Sequence, residues 1–141
     1  MISTPTKTHP SSTAARITLL IARYLLGFMF TVFGLNGFLH FIPQPPPTGM
    51  ALQYLSALSA SHIMIPVFLL QTVSGVLLLL NRFVPIALVL LGPVIVNILL
   101  YHALMAPEGL PPGIFALILW AIVFYSVRSA FAGLFAARVE A

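Results

Sequence analysis

Four apolar runs of membrane-spanning length, separated by proline-rich or very short polar breaks, decide most of what this chain can become. They cover residues 16–41, 62–80, 83–105 and 114–135. A helix of about 20 residues, rising 1.5 Å per residue, is enough to cross a hydrocarbon core of about 30 Å. After the first run, PQPPPTG is a hard break, because Pro45, Pro46 and Pro47 cannot continue a helix and favour extended backbone. MALQYLSALSAS then mixes Met50, Leu52, Tyr54, Leu55 and Leu58 with Gln and Ser, the pattern of a short helix lying in the membrane interface. Between the second and third runs NRF leaves room only for a tight turn, so those helices are antiparallel neighbours. APEGLPPG breaks the chain again before the fourth run.

Composition agrees with that pattern. Of 141 residues, 60% are hydrophobic and 6% charged, and the mean hydropathy is +1.10. A soluble domain carries roughly a quarter charged residues, so lipid is the expected solvent. The expected fold is all-α: an integral membrane four-helix bundle with a short interfacial helix between spans one and two. Residues 1–15 are expected as a disordered cytoplasmic tail, 16–136 as the four-span domain and 137–141 as a C-terminal tail. The first apolar core is too long for a signal-peptide h-region and lacks an A-x-A-like site, so it reads as a retained span.

The net charge of +4 does not point to nucleic acid. Six basic residues scattered over four places make no stripe that could track a phosphate backbone. They mark topology instead. Lys7, Arg16 and Arg23 begin span one, Arg82 lies in the tight turn and Arg128 and Arg138 end span four, while the proline-rich loops hold Glu108 and no Lys or Arg. The positive-inside rule then makes both termini cytoplasmic, in a membrane of the bacterial inner type. Arg23 is about 10 Å up the helix from Arg16, and its long side chain is expected to snorkel to the headgroups. With no cysteine in the chain, disulfides, thiolate metal sites and dithiol relays are excluded, so any redox role runs through a bound cofactor.

Polar side chains inside spans cost free energy, so they face protein or a cavity. Asn36 and His40 stand four residues apart on span one, which stacks them on one helical face about 6 Å apart. Asn97 and Tyr101 repeat the spacing on span three, with His102 one residue round, and Gln71 and Ser74 lie near the middle of span two. One outward-opening polar pocket among these spans would collect His40, His102, Asn36, Gln71, Asn97 and Tyr101. Three uses of it stay open. Such groups act as interhelical hydrogen-bond glue, worth about 0.6 to 2 kcal/mol each. Alternatively they hold the polar head of a quinone, lipid or similar amphiphile, imidazole and phenol donating to a carbonyl. A haem held by two histidines is the weaker third reading. No metal site is expected, since a tight zinc centre wants three or four ligands and the spans contain no Cys, Asp or Glu. Ser61 beside His62 has no orienting acid, so hydrolysis finds no support.

RYLLGFMFTVFGLNGFLHFIP, with LLQTVSGVLLLLNRFVPIALVLLGPVIVNILLYHALMAPEGLP after it, resembles the DoxX-like branch of the DoxX membrane-protein family over residues 16–128, most specifically in FGLNGF, LLLLNRFVP and VNILLYH. The resemblance implies a compact four-helix membrane bundle with both termini inside. It further implies a link to quinone-coupled sulfur oxidation or redox-stress complexes, and hence other membrane subunits as partners beside the membrane lipids. Relatives commonly carry Glu where this chain has Gln71, which removes a buried proton acceptor and argues against independent catalysis. A non-catalytic structural or assembly subunit is the alternative.

Overall fold

The computed structural model of the chain describes residues 12–135. These form five α-helices and no strand: α1 (Thr13–Leu39), α2 (Gly49–Ala60), α3 (Met64–Leu79), α4 (Val84–Met105) and α5 (Leu110–Val127). Short 3-10 segments, Pro107–Gly109 and Arg128–Phe135, flank α5. Three stretches, Thr13–Leu39, Val84–Met105 and Pro107–Gly133, are long and apolar enough to cross a membrane. The α2–α3 pair, bent by 87°, makes a fourth if it is one broken span. On its own α3 has 16 residues, about 24 Å of helix.

Three boundaries differ from expectation for local reasons. Residues 13–15, assigned to the tail, are helical, because the Ser12 hydroxyl accepts the Ala15 N–H at 3.2 Å and caps the first turn. The remainder of that tail through residue 11, and the one at 137–141, lie outside the described residues. The fourth helix begins at Leu110, not near Ile114, since Pro111 and Pro112 occupy its first turn, where N–H groups have no helical acceptor to lose. Its regular part ends at Val127, and Arg128–Phe135 tightens into a 3-10 helix.

Small residues let α1 and α3 touch backbone to backbone. A Cβ built on Gly75 would come within 2.5 Å of the Thr31 nitrogen and 2.7 Å of the Gly27 carbonyl oxygen. Gly34 faces Thr72 and Gly37 faces the Phe68 ring in the same way, the close approach that small residues provide between membrane helices. As α1 climbs from Gly27 to Gly37, α3 descends from Gly75 to Phe68, so the two run antiparallel. The chain reverses through Asn81 and Phe83, both left-handed (φ 54° and 51°), and α4 packs on α3. Gly113 of α5 then meets Leu99 of α4, and the Trp120 indole donates to the Leu88 carbonyl at 2.9 Å. Finally α5 returns to α1. Leu26, Leu78, Leu88, Leu91, Ile95 and Val123 fill the interior, each below 2% exposed. The outward faces are apolar as well: Phe28, Val96, Leu104 and Ile118 are all more than half exposed. That is the surface of a protein in lipid. Gly92 makes no such contact: a Cβ built on it would meet only Trp120, at 3.9 Å, and α4 continues through Pro93.

This packing gives the molecule two unlike ends. The start of α1, the α3–α4 turn and the finish of α5 share one, since Leu19, Arg23, Asn81, Ser126 and Val127 line a single cavity. At the other stand the loop after α1, α2 and the α4–α5 junction. The first will be called the turn end and the second the loop end.

Candidate functional site

Asn36 is buried, and its amide is spent on the chain that follows it. Oδ1 accepts the Ile42 N–H at 2.6 Å and Nδ2 donates to the Ile42 carbonyl at 3.3 Å, so one side chain stands in for a strand partner of residue 42. The Asn36 carbonyl accepts the His40 N–H at 2.9 Å. His40 itself turns left-handed at φ 53° and ends the helix. The expected stacking of Asn36 and His40 on one face therefore does not occur, because α1 stops at Leu39 and the imidazole leaves the helical register. His40 is exposed.

Gln71 is 7% exposed on α3, against Gly34 of α1. One turn on, Ser74 is wholly buried, and its Oγ is the buried side-chain polar atom without a partner among the described residues. The third group lies at the loop end, where α2 crosses α4. The Tyr54 hydroxyl reaches Asn97 Oδ1 at 3.4 Å, the Tyr54 and Tyr101 rings stack with centroids 5.9 Å apart, and Tyr101 meets the His102 ring edge-on at 4.9 Å. His102 Nδ1 lies 2.9 Å from the Ala106 carbonyl oxygen, and its ring fills the space where a side chain on Gly109 would be. Tyr101 and His102 are half-buried; Asn97 is exposed.

The structure thus brings Asn97, Tyr101 and His102 together, apart from Asn36, His40 and Gln71, and adds Tyr54 of α2, whose pairing with α4 no spacing signals. The cavities at Pro107–Ile118 and beside Arg23 are lined by other residues. Among the described residues no group of three His, Cys, Asp or Glu side chains could hold a metal ion.

The His102 contact fixes chemistry. A carbonyl oxygen can only accept, so Nδ1 carries the hydrogen there; Nε2 is then a lone-pair acceptor whenever the ring carries one proton. It would take a hydroxyl proton there and could donate only after gaining a proton, which refines the expectation that the imidazole donates to a carbonyl.

Arg23 also departs from expectation. It does not snorkel: it is 6% exposed, its Nη1 donates to the Leu78 carbonyl at 3.2 Å, and its Cζ lies 4.7 Å from the centre of the Tyr24 ring. The end of α3 offers a carbonyl and the negative end of a helix dipole at the level of Arg23, a depth that no spacing in the sequence records. Comparison with protein-family models, curated proteins and solved structures returned no match.

Proposed function

We propose that the chain is a DoxX-like inner-membrane protein, a four-helix bundle with α2 along the outer boundary and both termini cytoplasmic, serving as a quinone-associated subunit of a larger redox complex. The gathering of Tyr54, Asn97, Tyr101 and His102 at the loop end is the observation that carries this reading. Two tyrosine rings offer a flat apolar wall, Asn97 offers an amide and His102 a proton acceptor at Nε2, the mix of aromatic walls and few polar groups that suits a ring bearing oxygens. A bound quinone would supply two-electron, two-proton chemistry. The chain's own part is to orient the ring and to hold a proton at His102 Nε2. Electrons come from a partner subunit, since the cysteine-free chain has no dithiol to cycle. Asn36, with both amide atoms engaged by Ile42, and Gln71, packed against Gly34, belong to α1 and its contact with α3 and not to this cluster, and His40 stands exposed at the end of α1.

Quinone titration into the detergent-solubilised protein tests this. His102→Ala and Asn97→Ala should each weaken binding about tenfold, the usual cost of one lost polar contact. Equal binding by wild type and both variants would remove the assignment.

The second reading, a structural or assembly subunit, is favoured by an open apolar recess of about 400 Å³ on α5, lined by Pro107, Leu110, Pro111, Ile114, Phe115 and Ile118. Purification in mild detergent separates the two: a stoichiometric complex without quinone supports this one, a lone protein carrying quinone the first.

A further inference from the structure

At the turn end the largely buried Arg23 guanidinium has one hydrogen-bond acceptor among the described residues. Arg23 donates to the Leu78 carbonyl, which the Asn81 N–H also uses at 3.2 Å. With that shared oxygen and the Tyr24 ring as its partners among the described residues, the other N–H donors of the guanidinium, none of them sealed from the adjoining space, are left for a ligand. Glu108, the one carboxylate side chain among the described residues, lies at the opposite end. Beside Arg23 is a cavity of about 160 Å³ whose walls include Asn81 and Ser126 on the polar side and Leu19, Val84 and Val127 on the apolar side. Arg82 follows Asn81 directly, and Arg128 comes two residues after Ser126, so the surroundings are cationic. The site is level with the end of α3 and its turn, where a bilayer's headgroups would lie.

We infer that this cavity is a phosphate site occupied by the headgroup of an anionic membrane lipid, with the phosphodiester on Arg23 and Asn81, and with Ser126, whose hydroxyl donates to the Val123 carbonyl at 2.6 Å, forming the rim. The apolar walls favour a lipid over free phosphate, since an inorganic anion would have to be taken out of water against valine and leucine. Arg82 and Arg128 favour a headgroup with no cation of its own. The inference is independent of the quinone reading, which concerns the opposite end.

Native mass spectrometry of the full chain in neutral detergent tests it, with phosphatidylglycerol, phosphatidylcholine and inorganic phosphate as probes. Wild type should retain phosphatidylglycerol about fivefold better than phosphatidylcholine, the scale of one arginine acting on an anionic headgroup. Arg23→Gln should abolish that preference. Ser126→Trp, at an exposed position on the rim, should do the same with Arg23 in place, and carries the test should Arg23→Gln fail to fold. Leu104→Trp, exposed at the far end, should leave the preference intact. Equal retention of the two lipids by wild type, or undiminished phosphatidylglycerol on Ser126→Trp, would overturn the site. Displacement of the lipid by millimolar inorganic phosphate would overturn the lipid as occupant.

Discussion

A single amide decides where α1 stops. Asn36 gives Ile42 both of the hydrogen bonds that a continued helix or a sheet would have supplied, so the chain can leave the helix inside a part-buried region without orphaning its backbone. Asn36→Ala should lower stability by about 1–3 kcal/mol, read as a fall in melting temperature in detergent. Asn36→Asp, which sets a buried carboxylate oxygen against the Ile42 carbonyl oxygen, should cost at least as much as the alanine. Ser74 makes the opposite case. Its Oγ has no partner, so Ser74→Ala should cost nothing or stabilise by up to about 1 kcal/mol in the same melt. Neither role was legible beforehand. The spacing of Asn36 and His40 predicts a shared face only while the helix continues, and what ended it was a side chain bonding six residues ahead, a contact with no periodic signature.

At the scale of elements, the apolar runs and their breaks located the helices, and the three-residue NRF connection predicted the α3–α4 hairpin, because its length leaves one geometry. Glycine alone does not mark a helix contact. Gly27, Gly34 and Gly37 meet α3 closely while Gly92 meets little, a distinction set by which face each presents and therefore by the tertiary arrangement. Gly75→Ala should push α1 and α3 apart and cost about 1–3 kcal/mol, since the added carbon meets backbone atoms of Thr31 and Gly27 that cannot swing away. Gly92→Ala should be neutral or stabilise by up to about 1 kcal/mol through helix propensity. Paired unfolding curves in one detergent check both. The prolines teach a similar lesson: Pro45, Pro46 and Pro47 stand in the non-helical loop well after α1 has stopped at Leu39, whereas Pro111 and Pro112 start a helix, and only the position of the first turn tells these apart.

For the whole molecule, antiparallel packing places the start of α1 and the finish of α5 together beside the α3–α4 turn. The absence of cysteine from the chain makes this easy to map. With Asn81→Cys and Glu108→Cys introduced singly, a membrane-impermeant maleimide applied to intact cells should label the Glu108 position alone, and permeabilisation should be needed for Asn81. The reverse pattern would invert the orientation drawn from the positive-inside rule. Overall class was legible because lipid imposes composition on every outward face; the loop-end cluster was legible only in part, since Tyr54 belongs to a helix whose crossing with α4 depends on the sharp bend at His62, left-handed at φ 60°.

The separation of Arg16, Arg23, Arg82 and Arg128 from Glu108 also makes the protein an electrical object. In the proposed orientation, with the turn end inside, that polarity would align with a membrane potential negative inside, and turning the molecule over would drag each arginine through the voltage drop, about 2.3 kcal/mol per charge for every 100 mV. On that reading an energised membrane would itself hold the protein upright.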